Sequence, residues 1–172
     1  LHSSWYLLEY HINAAQGAPG KRISMATRSL VFVHFSSTPN MDRPRVFGTY
    51  IHYDGYVAFR NSKGDVVTGV GGTLLAHYNN PSMAAAVAKM GYLSSLEDDF
   101  AKSIMGSRYL SQRPKEFASL EDLEKYLSEK YLGGDKFLPE GAEYAYLWDE
   151  GRWNIWKGGK FEPLSLEEHM MF

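Results

Sequence analysis

The chain has 172 residues and a mass of 19.5 kDa, with 44% hydrophobic and 22% charged residues, which is the composition of one globular domain rather than two. The absence of cysteine excludes a disulfide scaffold, thiolate zinc sites, iron–sulfur clusters and a cysteine nucleophile. With 18 basic and 20 acidic residues the net charge is -2, so little Coulomb attraction is available for a phosphate backbone and nucleic acid is not an expected partner.

No run approaches the roughly 20 apolar residues that span a bilayer, so no membrane partner is expected. Residues 1–24 carry Trp5, Tyr6, Leu7 and Leu8 but no basic region ahead of them, which makes a poor signal peptide. The first Met is Met25, and Gly20 to Ser24 can be encoded by a purine-rich stretch like a bacterial ribosome-binding site. Residues 1–24 are therefore expected to be a mis-annotated or disordered extension, with an amphipathic lead and a Gly-Ala-Pro-Gly linker as the alternative. The expected globular domain is 25–172.

Residues 29–35 are β-branched and aromatic and read as a first strand. A Ser/Thr/Pro/Asn loop follows, and 46–53 alternates as a second strand, too near the first for a crossover helix and hence antiparallel to it. Short apolar pieces at 57–59 and 66–67 flank the polar turn 61–65 and predict a small hairpin. The glycine-rich run 68–72 leads into a short helix over 73–78. Asn80 and Pro81 start the next helix, with Met83, Val87 and Met90 on one stripe. Ser94 or Ser95 is expected to cap another helix, with Glu97 or Asp98 completing the box.

Residues 106–114 read as a loop with Arg108 and Arg113. Ser119 starts the best-specified helix, with Leu120, Leu123, Leu127 and Tyr131 sharing a face and Gly133 and Gly134 stopping it. Residues 144–148 and 152–156 then make a tight hairpin, 160–164 adds a third strand, and Ser165 and Glu168 are expected to cap a short terminal helix. The result is an α+β fold: a mainly antiparallel sheet of N-terminal strands and a C-terminal aromatic meander, packed against three to four helices inserted between them. Charge is polarised, since 115–150 holds 4 basic and 10 acidic residues while 1–114 holds 11 and 7. That acidic stretch is either a solvated helix surface or a face that attracts a basic partner.

The most pointed chemistry lies at His52, Asp54 and Tyr56. If the second strand continues, alternation puts His52 and Asp54 on one side, where the carboxylate would orient the imidazole as a base, with the Tyr56 phenol and His77 nearby. The competing reading is a strand end with a half-buried structural His52. Gly71, Gly72 and Thr73 open a helix whose N–H groups could take a small anion, but the run lacks the ending of a phosphate loop, and close packing of a helix start is the other explanation. His34, His52, Asp54 and His77 lack metal-ligand spacing, so neither metal nor cofactor is expected. Trp148, Trp153 and Trp156 are numerous for one hairpin; they are read either as core or as an interface for a protein partner.

The stretch from Tyr50 to Asn79 resembles small proteins of tailed bacteriophages and some bacteria, whose pattern is a strand ending in His-Trp-Asp-Gly-Tyr, then a glycine-containing turn and a Leu-Leu helix ending in Tyr-Asn. His52, Asp54, Gly55 and Tyr56 match the first part, with Tyr53 in place of Trp, and Gly71, Leu74, Leu75, Tyr78 and Asn79 match the second. Met90, Gly91, Leu93, Ser94, Ser95 and Leu96 extend the likeness, while 57–68 is longer than the usual link. The resemblance brings no assigned activity. It implies an accessory protein of bacteriophage origin, acting in the host cytoplasm by binding a host or defence protein. The alternative, from the residues themselves, is a small-molecule or nucleotide-binding enzyme centred on His52 and Asp54.

Overall fold

The computed structural model describes residues 26–35, 45–107, 112–129, 137–168 and 170–171. The expected extension 1–24, the loop 36–44, Arg108, Tyr131, Gly133 and Gly134 lie outside them. In chain order the strands and helices are β1 (Ser29–His34), β2 (Val46–Ile51), β3 (Ala58–Arg60), β4 (Val66–Thr68), α1 (Val70–His77), α2 (Pro81–Lys89) and α3 (Phe100–Met105). Then follow β5 (Lys115–Phe117), α4 (Leu120–Ser128), β6 (Tyr144–Asp149), β7 (Arg152–Lys157), β8 (Lys160–Pro163) and β9 (Met170–Met171).

The architecture is α+β, with the early strands and the late aromatic meander in one six-stranded sheet of order β5-β2-β1-β6-β7-β8. β1 and β2 pair antiparallel from Ser29 opposite Ile51 to His34 opposite Val46. Every other pairing in this sheet is antiparallel except the central one, where β6 lies parallel to β1 with Val33 beside Trp148. Parallel neighbours need a crossover connection, and here everything between β1 and β6 supplies it.

Side-chain alternation sorts the sheet into two buried faces. Val31, Val33, Phe47, Ile51, Tyr146, Trp148 and Trp153 pack with Leu74, Ala84, Val87 and Ala88 of α1 and α2. Leu30, Phe32, Val46, Ala145 and Leu147 pack on the other face with Leu123 and Leu127 of α4. Because β1 is covered on both sides, its sequence is a continuous apolar run rather than an alternating one.

Local signals place most element ends. Asn80 accepts the Met83 N–H at 2.9 Å and Ser119 accepts the Asp122 N–H at 3.2 Å, so both helices start where a side chain satisfies an otherwise orphan donor. Glu150 and Gly151 turn β6 into β7 with φ of 53 and 76, the two-residue geometry whose twist matches the strands it joins. In the second sheet, of order β4-β3-β9, the β3–β4 hairpin closes over Asn61, whose Oδ1 accepts the N–H groups of Lys63 and Asp65.

Three expectations require correction. No helix is capped by Ser94 or Ser95. Leu93 lies beside Ile51 as an isolated parallel bridge, and the carbonyls of Leu93 and Ser94 accept the His52 and Tyr53 N–H groups. The backbone there is committed to the end of β2, and α3 starts later, capped by Asp99. The C-terminal segment forms turns and then β9 beside β3, not a helix, because the open edge of the hairpin offers backbone partners that one turn of helix lacks. Finally, α1 starts at Val70, so Gly71 and Gly72 are helical.

Candidate ligand site

β2 ends at Ile51, and the connector after it is held by its backbone: His52 and Tyr53 donate to Leu93 and Ser94, and Gly55 donates to the Thr27 carbonyl at 2.7 Å. Asp54 takes a left-handed conformation, φ 58, which Asp tolerates better than most residues. Strand alternation therefore does not reach Asp54, and the argument that would put its carboxylate beside the His52 ring lapses.

His52 and Asp54 serve different places. His52 is 9% exposed, with Nδ1 2.7 Å from the Tyr50 hydroxyl and its ring edge-on to Tyr53. Tyr50 in turn lies tilted against Tyr92, whose hydroxyl donates to Glu140 Oε1 at 2.5 Å; Lys115 Nζ lies 3.4 Å from the same oxygen. Burial first, and then the Glu140 carboxylate, hold the Tyr92 phenol well above its usual range. Burial likewise raises Tyr126, aided by the charges of Glu140 and Glu129. His52 thus belongs to an aromatic and polar row against the α4 face. Tyr56 is buried, edge-on to Phe59.

Asp54 instead lines an open cleft of about 430 Å³ together with Thr68, Thr73, His77, Glu97 and Lys102. Three sequence-predicted residues, Asp54, Thr73 and His77, therefore meet, although His52 is not among the lining residues. Three segments build the cleft: the left-handed turn after β2, one side of α1, and the extended run into α3. That run is fixed by Tyr78, which donates its hydroxyl to the Glu97 carbonyl at 2.7 Å, and by Ser103, whose Oγ accepts the Glu97 N–H at 2.8 Å. Thr73 is only 7% exposed, and its hydroxyl has no hydrogen-bond partner among the described residues. At the rim, Lys102 pairs with Asp98 at 3.2 Å, both largely exposed.

The glycine run does not present anion donors. Gly69 and Gly72 donate to the Val57 carbonyl, Val70 to Asp54, Gly71 to Tyr56 and Thr73 to Gly69, so the N–H groups of Gly71, Gly72 and Thr73 are all engaged by the chain. Close approach explains the glycines: a Cβ on Gly71 would sit 2.9 Å from both the Tyr146 ring and the Val57 Cα.

The tryptophans are mostly core. Trp148 and Trp153 are 5% and 1% exposed and pack edge-on at 5.5 Å, with Trp153 Nε1 donating to the Tyr78 carbonyl at 3.1 Å. Trp156 is partly buried against Phe161 in the second cluster. As surfaces for a partner, Trp148 and Trp153 are unavailable.

Sequence reasoning missed one constellation. His34 Nδ1 lies 2.9 Å from Asp149 Oδ1, with side-chain exposures of 16% and 19%. The two residues end β1 and β6, the parallel neighbours at the sheet centre, so the pair exists only through a contact spanning 115 positions. Nothing local announces it. A strand-end histidine and a strand-end aspartate were each legible, but their adjacency was not.

Among the described residues, no group of three or more His, Asp or Glu is arranged to hold a metal ion, and no helix is long and apolar enough to cross a membrane. No protein-family model, curated protein or solved structure matches the chain.

Proposed function

We propose that this protein binds a small polar molecule in the cleft between Asp54, α1 and the run into α3. The observation that carries the reading is Thr73, a hydroxyl on a residue 7% exposed that has no partner among the described residues and lines a cleft of about 430 Å³. The hydroxyl oxygen of this otherwise buried residue reaches the open space of the cleft, where a ligand can take the place of water. Asp54 and His77 supply further polar contacts from the adjoining walls. The test is a fragment set screened by amide NMR on the full chain. Binders should move the resonances of residues 54, 73, 77 and 97, and T73V, which keeps the side-chain shape, should weaken them. A set that yields binders elsewhere but none at these residues overturns the reading.

A catalytic second reading has one observation in its favour, the His34–Asp149 pair. A carboxylate on Nδ1 fixes the imidazole tautomer and leaves Nε2 for proton transfer. Its test is a panel of esters, phosphoesters and glycosides. Turnover that falls at least about a hundredfold in H34N supports it, and no turnover of any substrate class retires it. An accessory role of bacteriophage origin, through a host or defence protein, rests on the resemblance of residues 50–79 and on the acidic stretch 115–150, without Trp148 and Trp153.

A further inference from the structure

We infer that the ligand of this cleft is an organic cation, an aliphatic primary amine whose ammonium group sits among Asp54, Thr73 and His77. The inference rests on the cleft reading and adds the chemical class.

The cleft walls carry three carboxylates, Asp54, Glu97 and Asp98, against one lysine. Lys102 is already matched by Asp98 at 3.2 Å. The Asp54 carboxylate has no hydrogen bond or ion pair from any described residue, and among the described residues the Glu97 carboxylate receives only the Ser95 hydroxyl, at 3.1 Å from Oε1. Two carboxylates therefore remain uncompensated where an anion would have to enter, and like charge disfavours it.

Carboxylates alone do not make a site, since water solvates them at no cost to the fold. The independent observation is Thr73. This residue lines the cleft and is more than nine-tenths buried, and its hydroxyl, which reaches the open space, has no partner among the described residues. An ammonium group brings three donors and no acceptor, which is the complement of a wall that carries a carboxylate, a hydroxyl oxygen and an imidazole ring. Leu96 lines the same space and offers apolar contact to the methylene stem of such a ligand. A metal ion is the poorer occupant, because the described residues form no group of three His, Asp or Glu placed to coordinate one.

The experiment compares three probes of similar length and different charge, putrescine, 1,4-butanediol and succinate, by amide NMR titration of the full chain at low ionic strength. Putrescine is expected to shift residues 54, 73, 77 and 97 saturably, to bind at least tenfold more weakly to D54N, and to weaken as salt is added. Asn preserves the shape at position 54 and tolerates the left-handed backbone, so D54N should fold; T73V gives a second, uncharged variant that should also weaken binding. If succinate or butanediol moves these residues as well as putrescine does, the cleft stands as a ligand site and the cation assignment is overturned. If none of the three, and no member of the wider fragment set, moves them, the cleft reading falls as well.

Discussion

The Tyr146 hydroxyl donates to the Gly55 carbonyl at 2.6 Å, joining residues 91 positions apart in the fully buried centre of the molecule. The bond ties β6 to the connector that carries Asp54, and the same phenol lies against Gly71 at the start of α1. One buried side chain thereby sets the spacing between the sheet, the connector and the helix that frames the cleft.

Gly71→Ala is expected to destabilise the protein. Alanine in a helix normally gains about 0.5–1 kcal/mol over glycine. Here a Cβ would meet the Val57 Cα and the Tyr146 ring at 2.9 Å, and backbone cannot yield as a flexible side chain can. Overpacking of this kind costs about 1–3 kcal/mol, so steric conflict outweighs propensity. Urea denaturation should show a lower midpoint. Tyr146→Phe should cost about 1–3 kcal/mol by leaving the Gly55 carbonyl without its donor. An unchanged midpoint in both variants would refute this account of the clasp.

The tyrosines predict alkaline instability. Burial raises the phenol pKa of Tyr78, Tyr92, Tyr126, Tyr144 and Tyr146, Tyr146 most completely enclosed. A folded-state pKa above the unfolded value of about 10 means that stability is complete below that pH and is lost as the pH rises toward the folded values. Phenolate absorbance should therefore appear in two stages, exposed tyrosines first and the buried ones together with loss of near-ultraviolet circular dichroism. A single smooth titration of all 12 tyrosines with the fold intact would contradict it.

Tryptophan quenching distinguishes core from interface. Trp148 and Trp153 should resist acrylamide, and Trp156 should be quenched to an intermediate degree. The check uses variants that retain one of these tryptophans at a time. Ready quenching of Trp153 would mean that the hairpin does not pack against α1 and α2.

The two side-chain caps should carry measurable and independent stability. Asn80→Ala and Ser119→Ala each remove an acceptor from a helix start and are expected to cost about 1 kcal/mol. Since the helices cover opposite faces of the sheet, the losses should add in the double variant, as thermal unfolding can show.

What the sequence alone determined is whatever depends on near neighbours. The Ser119 and Asn80 caps, the alternation of β2, the Glu150–Gly151 turn and the choice of an α+β class follow from spacings of two to four residues, and they are present in the fold. Asp54, Thr73 and His77 could also be named as polar candidates near one another in the chain. Tertiary structure decided their company. The left-handed turn at Asp54 ended the strand alternation that would have paired it with His52, the Leu93 bridge denied Ser94 a helix, and the parallel contact of β6 with β1 brought Asp149 to His34. These outcomes turn on which distant backbone groups compete for the same hydrogen bonds and which faces are buried. That competition is settled by the packing of the whole sheet and leaves no periodic trace in the local sequence.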